Sequence, residues 1–215
     1  MINPHLHLNS NWQTKAQKSS RDGFGDALLE LGKTNPKVVV LTADLAESTR
    51  VEAFGKTYPD KFYDVGVAEQ NLIGLSAGLA STGFIPFCTS YAVFNPGRNW
   101  DQLRVSVCYS NTNVKIVSSH AGLSAGPDGA VHQGLEDIAL TRVLPHLTVI
   151  SPCDYEQARL ATFAIAELWG PVYLRLSRES THQITTQNTP FEPGKAQVLR
   201  FGNHLTIVAT GLMVS

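Results

Sequence analysis

Six short apolar runs, set between longer amphipathic stretches, constrain this chain more than any other feature. They fall at residues 38–41, 62–65, 85–88, 114–117, 148–150 and 172–176. Each is nearly all apolar and too short for a buried helix, the pattern of strands covered on both faces. Between them the period becomes helical. Ser20 can cap a helix carrying Phe24, Leu28 and Leu31 on one face, with Gly32 at its end. Residues 68–81 repeat apolar positions at Leu72, Leu75 and Leu79. Further helices are expected over 100–109, 135–144 and 154–168, the last with Asp154 as N-cap. This alternation predicts an α/β fold: a parallel sheet of about six strands with helices on both faces.

The alternation stops near residue 180. Residues 181–194 (THQITTQNTPFEPG) are polar, carry two prolines and read as a linker. Beyond it, 197–200 and 205–209 look like two new strands. The expected organisation is an N-terminal tail (1–19), a main domain (20–180), a linker (181–195) and the start of a truncated C-terminal domain (196–215).

Composition narrows the function. A formal net charge of −1 gives neither nucleic acid nor an acidic membrane the basic surface each needs. No apolar run approaches 18 residues, and the first 20 lack the apolar centre of a secretory signal. Three cysteines, Cys88, Cys108 and Cys153, are far apart and form no zinc or redox spacing. These features predict a cytoplasmic protein. His5 and His7 lack further ligands, so no metal site is expected on this chain.

In a parallel sheet, ligands gather beyond the carboxyl ends of the strands. There the sequence places Asp44 and Ser48, then Glu69, then Tyr91 and Phe94. His120, a glycine-rich loop with Asp128 and His132, and finally Arg178 follow. Each has a plainer reading alone. Glu69 suits a helix N-terminus, Tyr91 and Phe94 suit a core, and Arg178 suits a surface ion pair. The loop AGLSAGPDGAVHQ matches neither standard phosphate-binding glycine motif. Convergence on one rim favours a site. Cys88 and His120 would be the nucleophile and base of a cysteine hydrolase, though Cys88 lies in a fully apolar run.

The segment FYDVGVAEQNLIGLSAGLASTGFIPFCTSYAVF resembles the pyrimidine-binding domain of transketolases. The resemblance continues through DQLR, SSHAGLSAGPDGAVHQGLEDIALTR, TVISPCD and VYLRLSRES, over about residues 20–180. It implies thiamin diphosphate as cofactor. Glu69, in VGVAEQN, matches the family's catalytic glutamate, which hydrogen-bonds N1′ of the aminopyrimidine and so activates C2 of the thiazolium. Tyr91 and Phe94 match the aromatic wall around that ring, and Asp44 and Leu45 match other cofactor-pocket positions. His120 and His132 match histidines that handle sugar hydroxyls and the transferred ketol, a role in which imidazoles can exchange protons near neutral pH. Asp128 matches an acid that recognises a substrate hydroxyl. Arg21, Ser48 and Arg178 match residues that hold the sugar phosphate, a task suited to guanidinium. Arg98 sits beside an apparent one-residue insertion in FNPGRNWDQ and is given no role.

The family's GDG motif, which with a downstream Asn holds magnesium (or calcium) and the diphosphate, does not occur here. The resemblance therefore implies the C-terminal subunit of a split transketolase. An N-terminal subunit would carry the diphosphate-binding domain and the metal, and two copies of each chain would form a two-fold heterotetramer. The substrates would be sugar phosphates exchanging a two-carbon ketol unit, as in the pentose phosphate pathway. The β subunits of 2-oxoacid dehydrogenases and the deoxyxylulose-phosphate synthases share the glutamate and stand as alternatives, as does a non-catalytic subunit. The histidines and phosphate-type arginines favour transketolase.

Overall fold

A computed structural model describes residues 1–214. The strands are β1 (Lys18–Ser19), β2 (Val38–Thr42), β3 (Phe62–Asp64), β4 (Ile85–Tyr91), β5 (Lys115–Ser119), β6 (Thr148–Ile150), β7 (Val172–Arg175) and β8 (Ser180–Thr181). The helices are α1 (Ser20–Thr34), α2 (Glu52–Thr57), α3 (Glu69–Ser81), α4 (Trp100–Gln102), α5 (Asp137–Arg142) and α6 (Tyr155–Glu167). Six strands form one parallel sheet in the order β3-β2-β4-β5-β7-β6, as the alternation predicts. β1 and β8 pair separately as a two-residue antiparallel ribbon.

The inner strands β2, β4, β5 and β7 are buried on both faces, and their side chains alternate between two cores. The edge strand β3, expected to be covered as well, exposes Tyr63 and Asp64 because no strand among the described residues flanks its outer side. Val38, Val40 and Phe87 join Phe24, Leu28 and Ile165 on the side of α1 and α6. Val39, Leu41 and Cys88 join Leu72, Ile73 and Leu103 on the side of α3. Helices α1 and α6 meet closely because Gly23 has no side chain: a Cβ there would stand 2.1 Å from the Tyr155 carbonyl oxygen. Lys115, wholly buried at the start of β5, gives its ammonium protons to Asn113 Oδ1 (2.6 Å) and the carbonyls of Leu168 (2.6 Å) and Gly170 (2.8 Å). Burial pushes its pKa down to about 7.

Several local expectations are corrected. Ser19, not Ser20, caps α1 by accepting from the Asp22 amide. Ser20 turns inward instead and accepts from the Ser177 amide at 2.8 Å. Helix α1 runs past Gly32, whose missing Cβ leaves room for the Tyr58 ring. Helix α5 is shorter than the 135–144 span, and α2 was not legible. Residues 100–109 begin as α4 and continue as a π-helical stretch, Leu103–Tyr109. The two strands expected over 197–200 and 205–209 do not form; Arg200 makes only an isolated bridge to Ile2. Leu205, Ile207 and Val208 are exposed.

The segment after β8 is fastened to the sheet domain. Asp154 caps α6 and also accepts from the amides of Ile184 (2.8 Å) and Thr185 (2.7 Å). Among the described residues, no helix is long and apolar enough to cross a membrane. The chain runs from β2 outward to β3 and returns to β4 on the other side of β2. The loops leaving β2 and β4 therefore diverge, which opens a crevice at the carboxyl edge.

Candidate active site

The wall of this crevice is built by one turn. β4 ends at Tyr91, and the chain then coils so that the amides of Asn95 and Arg98 bond to the carbonyls of Tyr91 (2.8 Å) and Phe94 (2.9 Å). That i, i+4 spacing stacks side chains on one face. Tyr91 and Phe94 lie nearly parallel, 11° apart with centroids at 5.9 Å. The Arg98 guanidinium carbon sits 4.1 Å from the Phe94 centroid. Gly97 permits the coil, since a Cβ there would meet the Val93 carbonyl oxygen.

Glu69 is the first residue of α3, and only 4% of it is exposed. Arg98 Nη1 donates to both its carboxylate oxygens, at 3.1 and 3.2 Å. Asn99 Nδ2 donates to the Glu69 carbonyl at 3.1 Å and to Asn95 Oδ1 at 3.0 Å. Both asparagines are fully buried. Sequence reasoning gave Arg98 no role and missed Asn95 and Asn99. The only available signal was their i, i+4 spacing, which says nothing about Glu69.

His120 closes the other end of the wall. Its imidazole stacks on Tyr91, with centroids 3.8 Å apart. Nε2 faces Arg21 Nη1 at 3.5 Å, and Nδ1 lies 2.9 Å from Ser119 Oγ. Arginine only donates, so Nε2 holds the lone pair and Nδ1–H donates to Ser119. Burial first, then the Arg21 charge, pushes the imidazole pKa down to about 3. Burial beside Arg21 thus favours the neutral imidazole at this position, with Nε2 as an acceptor. His132 presents its ring edge-on to Tyr91 (6.0 Å) and Phe94 (5.5 Å), and its buried Nδ1 has no partner.

Arg21 reaches across to the Ser48 carbonyl at 2.8 Å, joining α1 to the loop after β2. Burial and the neighbouring Arg50 charge lower its pKa. Arg178 stands 3.9 Å from Asp128 and bonds the Ala125 carbonyl at 2.8 Å, bracing the glycine-rich loop. The charges of Asp128 and Arg178 both act on His120. Asp44 is exposed and Leu45 half-buried on the adjoining rim. Asp64 Oδ1 ties their loop to the one leading into α3 by accepting from the amides of Asp44 (2.9 Å) and Gly66 (3.0 Å).

Cys88 lies outside this cluster. It is fully buried in the α3-side core, its Sγ facing the Lys115 carbonyl at 3.6 Å, and burial drives its thiol pKa to about 12. A thiol so placed is packing, not a nucleophile.

A parallel sheet with a buried carboxylate, an aromatic wall and a basic rim at its carboxyl edge defines an α/β ligand-binding domain. Residues 16–183 match the family described as Transketolase, pyrimidine binding domain, and the chain belongs to that family. It is 47% identical over 196 residues to the "Putative transketolase C-terminal section" of Methanocaldococcus jannaschii, covering 90% of this chain and 62% of that protein. It is 41% identical over 209 residues to a 6-deoxy-6-sulfo-D-fructose transketolase subunit of Clostridium sp. strain MSTE9, covering 97% of this chain and 65% of that one. Among solved structures, a split-gene transketolase in an inactive β4 tetramer matches with TM-score 0.83 and 45% identity, over 92% of this chain and 64% of that chain. The chain thus spans less than two thirds of the length of these relatives.

Proposed function

We propose that this chain is the pyrimidine-domain subunit of a thiamin-diphosphate-dependent transketolase that moves a two-carbon ketol unit between anionic sugars. The observation that carries this reading is Glu69, a buried carboxylate at the start of α3 that faces a flat cation resting on an aromatic ring. A planar group bearing N–H donors already fills that corner, so the residues present fit an aminopyrimidine. Bound thiamin diphosphate supplies the electron sink that holds the ketol unit in transit.

The chain's own residues divide the remaining work. Glu69 shares a proton with a ring nitrogen, and Tyr91 and Phe94 bury the ring and exclude water. Asp44 and Leu45 line the outer wall of the cofactor pocket. His120 accepts from a sugar hydroxyl at Nε2, with His132 beside it. Asp128 accepts a second hydroxyl. Arg21, with its neighbour Ser48, and Arg178 hold the sugar's phosphate. One relative is named for a sulfosugar, and the same arginines would serve a sulfonate.

In this reading residues 20–180 form the working domain and 196–215 begin a further one. The diphosphate group and its divalent metal fall to a second polypeptide. Exposed Val67, beside Glu69, and Leu123 and Val131, on the glycine-rich loop, support a covered rim in such an assembly. A two-fold pairing of this chain with a second copy completes the proposed heterotetramer.

The test is recovery of the chain from a native extract with identification by mass of what accompanies it, followed by assay. A companion bearing GDG, and ketol transfer from xylulose 5-phosphate to ribose 5-phosphate, would establish the reading. A companion with no transfer would leave a non-catalytic subunit, and acceptance of pyruvate as donor would point to a deoxyxylulose-phosphate synthase or 2-oxoacid dehydrogenase type.

A further inference from the structure

We infer that Arg98 is a built-in competitor for the pyrimidine subsite, holding Glu69 and Phe94 until a heterocycle displaces it. This rests on the assignment of Glu69 and the aromatic wall to a pyrimidine ring. Three observations converge. One nitrogen of Arg98 bridges both Glu69 oxygens. The same guanidinium lies over the Phe94 ring at 4.1 Å. The arginine side chain is 51% exposed, against 5% for the glutamate, so it covers the carboxylate from the open side.

A ring that donates an N–H to Glu69 while stacked on Phe94 needs the volume the guanidinium fills. Both are flat and both bear donors, so the two cannot share the corner. Arg98 is well built to leave. Its backbone is anchored by the bond to Phe94, while its long stem and half-exposed head can swing into solvent. While it stays, the buried carboxylate keeps a partner, which spares the fold an unpaired charge.

The consequence is a lowered affinity in the chain alone. A site competent for only part of the time binds with an affinity reduced by that fraction. A half-exposed ion pair and one cation–π contact together hold the closed state by about fivefold to tenfold. Salt weakens such a pair, so added salt should help the ligand in the wild-type chain.

Calorimetric titration of the full chain with thiamin, and with 4-amino-5-hydroxymethyl-2-methylpyrimidine as the ring alone, tests this. Arg98→Met keeps the stem on Phe94 and removes the charge. It should bind both probes about fivefold or more tighter than wild type and lose the salt dependence. Arg98→Lys should fall between the two. Equal or weaker binding by Arg98→Met, with an unchanged melting temperature, overturns the inference. Should that variant fail to fold, nitrogen NMR of the wild-type guanidinium, identified by its loss in Arg98→Lys, decides instead. Signals that move on saturation support displacement, and signals that stay fixed overturn it. Failure of the underlying site assignment looks different: Glu69→Gln and wild type would then bind the ring equally, also in the complex with the partner subunit.

Discussion

The imidazole of His120 lies against the ring of Tyr91, 3.8 Å between centroids and 21° from parallel. This contact joins the carboxyl ends of two neighbouring strands, β4 and β5, into one surface. The stack continues through Phe94 to the Arg98 guanidinium, so a cation stands at one end and Arg21 at the other. His120 holds this place with a left-handed backbone, φ 57°, a conformation uncommon for residues with a Cβ.

The buried, neutral His120 should make stability depend on pH. Its pKa is about 3 in the fold, against an ordinary value of 6.5. Between these values the unfolded chain takes up a proton that the folded chain refuses, so stability falls as pH drops below 6.5. At pH 4.5 this amounts to about 3 kcal/mol at most, two pH units at roughly 1.4 kcal/mol each. His120→Asn, which tolerates φ > 0, should show a shallower loss of melting temperature between pH 7 and 4.5. An identical slope would mean that His120 titrates normally.

Glu69→Gln should lower turnover of the reconstituted enzyme by about two to four orders of magnitude, the range of a lost acid–base group. Circular dichroism should stay native. Activity within a few-fold of wild type would remove Glu69 from the chemistry.

Arg178→Ala should raise KM for an anionic donor by about tenfold or more, the worth of one charge-assisted hydrogen bond, and change kcat less. The effect should shrink for an uncharged donor of the same chain length. Equal effects on charged and uncharged donors would show that Arg178 only braces the glycine-rich loop through Ala125.

Gly23→Ala should destabilise the chain by about 1–3 kcal/mol, the cost of overpacking, because its Cβ would collide with the backbone of Tyr155. Thermal melting measures this directly. Unchanged melting would mean that α1 and α6 can slide apart without loss.

The inner strands were legible because burial on both faces imposes a local signature that needs no knowledge of neighbours. Val38 to Leu41 and Val172 to Leu174 are apolar whichever helix covers them. The same signature misled at Leu205 to Ala209, where the residue types suit a strand but no neighbouring strand pairs with them among the described residues. The ribbon of β1 and β8 was invisible for the opposite reason: two residues carry no period.

The site divides along the same line. The sequence by itself determined which chemical groups stand at the carboxyl edge, because strand ends and the loops after them are local features. It determined Glu69 in the first turn of a helix and placed Tyr91, Phe94, His120 and Arg178 beyond the carboxyl ends of strands. Only the tertiary structure decided that Arg98 covers Glu69, that Asn99 fixes the start of α3, and that His120 is buried against Arg21. Those outcomes depend on distances between segments far apart in the chain and on how much water burial removes, and neither is written in the spacing of residues.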